Sequence, residues 1–133
     1  MSRKAGMKVT AAVIEEKGRI LIARRKPGRH MAGKWEFPGG KIEPGETPEE
    51  SLARELMEEL AIRARIAELL CSTHFEGDGV SFELLVYRAE RLEGEPMLIE
   101  HQEICWARPE DLALFDLADS DRKVARRLYG VPF

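Results

Sequence analysis

The segment from Gly40 to Ile62 constrains this chain more than any other: Gly-Lys-Ile-Glu-Pro-Gly-Glu-Thr-Pro-Glu-Glu-Ser-Leu-Ala-Arg-Glu-Leu-Met-Glu-Glu-Leu-Ala-Ile. A turn signal at Pro44-Gly45 leads into a run whose local chemistry dictates a helix. Thr47 is a good N-cap, Pro48 suits the first helical position, and Glu50, three residues after Thr47, completes a capping box. A helix is therefore expected to start at Thr47. At about 100° per residue, Leu52, Ala53, Leu56, Met57 and Leu60 share an arc of about 140°, while Glu55, Glu58 and Glu59 share an adjoining arc of about 100°. The apolar arc predicts packing against a core, and the three carboxylates are expected to converge beside it.

Convergence has an electrostatic cost. Two unit charges about 4 Å apart repel by roughly 4 kcal/mol at an effective dielectric near 20. A solvated face is the ordinary reading of a Glu-rich helix, but the residues in front of this one argue for cations. Phe37-Pro38-Gly39-Gly40 reads as a turn that exposes backbone carbonyls and amides. Hard oxygen donors left partly open to water and phosphate are what magnesium requires.

These residues resemble the box of the Nudix family, G-x5-E-x7-R-E-U-x-E-E-x-G-U with U aliphatic. Gly40, Glu46, Arg54, Glu55, Leu56, Glu58, Glu59 and Ile62 all fall in register. The one departure is Ala61, where the pattern has glycine; a left-handed residue commonly ends a helix there, so alanine either lets the helix run on or ends it with strain. The flanks, Arg24-Arg25 and His30 to Lys41 before and within the box and Glu100 to Trp106 with Pro109 to Leu112 after it, are similar to the MutT-type nucleoside triphosphate pyrophosphohydrolases that act on cytidine and oxidised purine nucleotides. The proline or tyrosine that marks the ADP-ribose and dinucleoside polyphosphate branches is missing from residues 76 to 80.

The resemblance implies an α/β/α sandwich around a mixed sheet and a magnesium-dependent hydrolase, with manganese as the alternative metal. Its expected action is cleavage of a free nucleoside triphosphate, 8-oxo-dGTP or a cytidine triphosphate, to a monophosphate and pyrophosphate. Glu55, Glu58, Glu59 and Glu100, with a backbone carbonyl of Gly39 or Gly40, would hold the metal. Arg54 would orient Glu55, the base candidate within the box. Glu100 is preferred over Glu103 as the additional glutamate, as metal ligand or base. Arg25 and Lys41 resemble phosphate contacts, and His30 is either another or an ordinary loop histidine. Phe37 belongs to the same substrate-binding set. Asp121 falls where relatives place an Asn or Asp that reaches the base edge, although an Asp at a helix start also satisfies the dipole. Ionised, it can only accept hydrogen bonds, as cytosine N4 needs; protonated, it also serves an oxopurine edge. Phe75, Phe82 and Trp35 either stack on a base or pack in the core. A nucleotide sensor that binds without cleaving is the alternative, though such domains usually lose box carboxylates and none is lost here.

Charge is distributed unevenly. Lys17 to Lys34 holds seven basic residues and no acidic one, whereas Glu43 to Glu59 holds seven glutamates and one arginine. A polyphosphate carrying cations wants both, while a nucleic-acid polymer would be repelled by the acidic stretch, and the net charge is −3. At 133 residues, 44% hydrophobic and 34% charged, a single domain over 1–133 is expected. No apolar run is long enough to span a bilayer, and Ser2-Arg3-Lys4 is not followed by a signal-peptide core, so a cytoplasmic protein without membrane association is expected. Cys71 and Cys105 lack C-x-x-C spacing and read as reduced thiols. Strands are expected at Lys8–Ile14, Ile20–Ala23, Ile66–Thr73, Ser81–Arg88 and Ile104–Ala107, with turns at 16–18 and 76–79, and a second helix from about Ser120 to Tyr129. No feature requires a dimer, which leaves monomer and homodimer both open.

Overall fold

In the computed structural model, which describes residues 7–28, 32–77 and 79–132, the first two strands form the expected hairpin. β1 (Met7–Glu16) turns through Lys17 and Gly18, at φ of 54° and 77°, into β2 (Arg19–Arg25); two residues at positive φ match the twist of a tight hairpin. β3 (Trp35–Glu36) and β4 (Gly39–Lys41) follow, then α1 (Pro48–Leu60), β5 (Arg63–Gly77), β6 (Val80–Glu93), β7 (His101–Ala107) and α2 (Asp119–Tyr129). A 3-10 helix, Pro109–Leu114, precedes α2.

The sheet is mixed. Its order is β3-β2-β1-β6-β5, with β4 also paired to β1 and β7 to β2. β1 runs parallel to β6, and the other pairings are antiparallel. Side-chain alternation along β1 then divides the core into two layers. Ala12 and Ile14 pack with Leu52, Leu56 and Leu60 of α1, whereas Ala11 and Val13 pack with Leu112, Leu117, and Val124 and Ala125 of α2. One helix covers each face, which is the α/β/α sandwich that the resemblance implied.

α1 begins as its sequence dictates. The Glu50 amide donates to Thr47 Oγ1 at 3.1 Å and the Thr47 amide to Glu50 Oε1 at 2.9 Å. It does not run on past Leu60: Ala61 adopts the left-handed conformation, φ 58°, and its amide bonds the Met57 carbonyl at 3.0 Å. Alanine thus takes the conformation that the family pattern assigns to glycine, at a cost of roughly 1–2 kcal/mol. Met57, expected on the packed arc, is half exposed.

Two expectations are corrected. Trp35–Glu36, for which no strand was expected, adds to β2, and Gly39-Gly40 is not a turn but the start of β4 against β1. Short strands paired with partners distant in sequence leave no periodic signal of their own. Strands β5, β6 and β7 also extend beyond the expected limits, because cross-strand pairing carries the ladder further than residue type does. Cys71 and Cys105 are free.

Candidate active site

The box segment is closed by Arg54. Its guanidinium donates to both oxygens of Glu46 at 2.6 and 3.0 Å, to Glu55 Oε2 at 3.3 Å, to Glu58 Oε1 at 3.1 Å and to the Lys41 carbonyl at 3.3 Å. The Arg54 hydrogen bond holds the Glu46 carboxyl down to about 2, helped by the Glu43 amide. Glu46 therefore serves the loop rather than the cavity, a role unassigned from sequence although it occupies a fixed box position.

Arg54 also separates the three helix carboxylates. Glu58, 53% exposed, lies with Arg54 on the outer side, while Glu59, 8% exposed, points inward and is hydrogen-bonded to Glu55. The expected three-way convergence is thus a close pair, Glu55 and Glu59, with Glu58 turned away. Burial first, then the bond to Glu55 and the charge of Glu36, pushes the Glu59 carboxyl up to about 10. Glu59 Oε1 is buried with no hydrogen-bond partner among the described residues.

The glycines of β4 make room for this pair. Thr10 of β1 faces Gly40 in register, and a Cβ on Gly40 would meet the Glu55 carboxyl carbon at 2.5 Å. A Cβ on Gly39 would strike the Thr10 carbonyl. Gly39 is required by close approach to the β1 backbone, and Gly40 leaves the space that the Glu55 carboxyl fills; neither serves a turn.

At the neighbouring end of the sheet, three strands contribute a second cluster. Glu36 on β3 accepts from Arg25 Nη1 of β2 at 2.8 Å and lies 2.8 Å from His101 Nε2 of β7. Beyond it, Asp121 in the first turn of α2 is 7% exposed and accepts the Phe37 amide at 2.9 Å. Burial, and secondarily the charge of Glu36, pushes the Asp121 carboxyl up to about 8.

These groups share one cavity of about 580 Å³, a size usual for small-molecule sites. Its acidic wall is Glu36, Glu55, Glu59 and Glu100; Arg25, Lys26 and Lys41 supply positive charge; Phe75 and Phe82, with ring centroids 5.3 Å apart, supply an aromatic wall. Gly39, Gly40 and the buried Phe37 also line it. Glu103 does not line it and instead pairs with Arg24 at 3.5 Å. Trp35 packs edge-on against Phe115 at 5.1 Å, so of the three aromatics considered it belongs to the core. Lys34, from the basic arm, pins Asp116 at 2.9 Å. His30 lies outside the described residues.

Sequence reasoning missed Glu36, His101 and Lys26. Glu36 sits in the quoted Trp35 to Lys41 run and His101 beside Glu100, but their meeting depends on strand pairing across 65 residues. The donor set fits a hard divalent cation: two adjacent carboxyls, one buried oxygen without a partner, and Glu100 on the same cavity. Among the described residues, no three His, Cys, Asp or Glu side chains are already gathered around a single point.

The NUDIX domain model matches residues 4–128. The chain is 39% identical over 115 residues to the CTP pyrophosphohydrolase of Escherichia coli (strain K12), covering 86% of this chain and 85% of that protein. It is 39% identical over 113 residues to the 8-oxo-dGTP diphosphatase of the same organism, covering 85% and 88%. The MutT NUDIX hydrolase from Burkholderia pseudomallei superposes with a TM-score of 0.85 at 31% identity, over 94% of this chain and 99% of that one. With the box in register, both helices in place and the carboxyl pair set against β4, the chain belongs to the Nudix hydrolase family.

Proposed function

We propose that this chain is a magnesium-dependent nucleoside triphosphate pyrophosphohydrolase that converts a free nucleotide to its monophosphate and pyrophosphate, with 8-oxo-dGTP as the leading substrate. The observation that carries the reading is the pairing, in one cavity, of the Glu55–Glu59 carboxyls with a buried acid and an aromatic wall. Nudix hydrolases use divalent cations, and Glu55, Glu59 and Glu100, with Gly39 or Gly40 carbonyl oxygen, are the groups that would hold them; Glu58 stands outside, with Arg54. Magnesium, when bound, supplies positive charge for the phosphate chain and for the charge that develops on the bridging oxygen. Arg54 orients Glu55 through its 3.3 Å contact, which keeps that carboxylate available to take a proton from water. Glu100 is the second candidate for this step. Arg25 and Lys41 meet phosphate charge at the cavity wall.

Asp121 favours an oxopurine. With its carboxyl pushed up to about 8, it is mostly protonated at pH 7, so it can donate and accept toward a base that presents a carbonyl beside an N–H. The likeness to a CTP pyrophosphohydrolase supports cytidine triphosphate as the second reading. Incubating the protein with magnesium and a panel of nucleotides, and separating the products, tests both. Pyrophosphate from 8-oxo-dGTP is expected; the absence of pyrophosphate from every nucleotide would overturn the reading in favour of a sensor.

A further inference from the structure

Glu36 is the residue on which three strands converge. It pairs with Ala23 of β2, so its side chain shares a sheet face with Ala23 and, two residues along, with Arg25. On the other side of β2, Arg24 pairs with Glu103 but Arg25 pairs with His101, which leaves Gln102 as the extra residue of a bulge. Without that bulge Gln102 would stand opposite Arg25. Bulges beside functional sites commonly re-aim one side chain, and here the re-aimed group is a histidine, 4% exposed, whose Nε2 lies 2.8 Å from Glu36. A carboxylate only accepts, so Nε2–H is the donor. Nδ1 is buried without a partner among the described residues, a cost that a residue needed only for packing would avoid. The charge of Glu36 is felt by both Glu59 and Asp121, so displacement of this carboxylate would reach both.

We propose that His101 is a positioning residue: with Arg25 it clamps Glu36 from two sides and so fixes Glu36 in the acidic wall, which Glu100 also lines, before a nucleotide enters. This rests on the pyrophosphohydrolase reading. Supporting groups of this kind typically change activity by about 10–100-fold when removed. His101→Met keeps the bulk and removes the donor, and His101→Gln keeps a donor. In the full chain, H101M is expected to lower kcat/KM about 10–100-fold and H101Q to restore it to within about threefold. In a Glu36→Met background, H101M is expected to add no further loss, because a group acting through another is not additive with it.

A readout independent of turnover uses protein labelled with 15N-histidine. The His101 ring Nε2–H is expected as a slowly exchanging proton that E36M removes or shifts strongly. An H101M protein as active as the parent, losses that multiply in the double variant, or a ring proton indifferent to E36M would each overturn the proposal. A parent protein that cleaves no nucleotide would defeat the pyrophosphohydrolase reading alone; the clamp would then stand or fall on the ring proton.

Discussion

Glu59 on α1 and Asp121 on α2 reach one cavity from opposite faces of the sheet, and both are acids that burial holds protonated far above the ordinary carboxyl range. Their surroundings differ. Asp121 accepts the Phe37 amide and lies near the Ser120 hydroxyl, so as a neutral acid it is satisfied. Glu59 has anionic neighbours and an oxygen without a partner among the described residues, which leaves a donor oxygen open to a hard cation. On the proposed reading, one face of the sheet would hold the cations and the other would read the base.

The largest effect that would break this comparison comes from Glu59→Gln. It is expected to lower kcat by at least about 100-fold, measured at saturating nucleotide and magnesium. Without metal the same variant should be the more stable protein. The sign follows from the raised folded value: the stability Glu59 contributes is full below its unfolded value of about 4.3 and is lost as pH rises toward about 10. The melting temperature of E59Q relative to the parent in EDTA should therefore climb between pH 5 and pH 9; a flat difference would show that Glu59 is not held neutral.

Metal addition sharpens the same contrast. Magnesium at about 100 times its Kd is expected to stabilise the parent by about 2.7 kcal/mol, or roughly 8 °C in melting temperature. The shift should grow from pH 6 to pH 9, because the cation displaces a proton at Glu59, and most of it should vanish in E59Q but persist in Asp121→Asn. Calorimetry at several pH values distinguishes the two acids directly.

Asp121→Asn should spare the cleavage step and change base choice. Asparagine can still accept the Phe37 amide through its side-chain oxygen, so the fold is expected to hold, while kcat/KM for 8-oxo-dGTP falls about tenfold relative to CTP. In the parent that preference should decline as pH passes about 8, and in D121N it should be flat. The smallest effect lies outside both acids: Ala61→Gly should relieve the left-handed cap, gaining at most about 1 kcal/mol after the entropy of the added glycine is set against it, with activity unchanged.

How much of this was legible in the sequence follows from how local each feature is. The α1 start, the Glu16 to Gly18 turn and α2 depend on neighbours in the chain, and they were read within a few residues. The position of Glu58 was not, because the Arg54 clasp competes for it with the cavity. β3 and β4 were missed because Trp35–Glu36 and Gly39–Lys41 gain their strand character from β2 and β1. Gly39 and Gly40 were read as turn residues when they are strand residues lying close to the β1 backbone and the Glu55 carboxyl. The Arg25, Glu36 and His101 cluster depends on pairing of three strands and one bulge, which no short window contains.

A crystal structure with manganese and a nucleoside triphosphate analogue that cannot be cleaved tests the division between the two acids most directly. Manganese anomalous density against Glu59, with the base against Asp121, is the expected result. A base seated beside Glu59, or manganese found away from the Glu55–Glu59 pair, would contradict it.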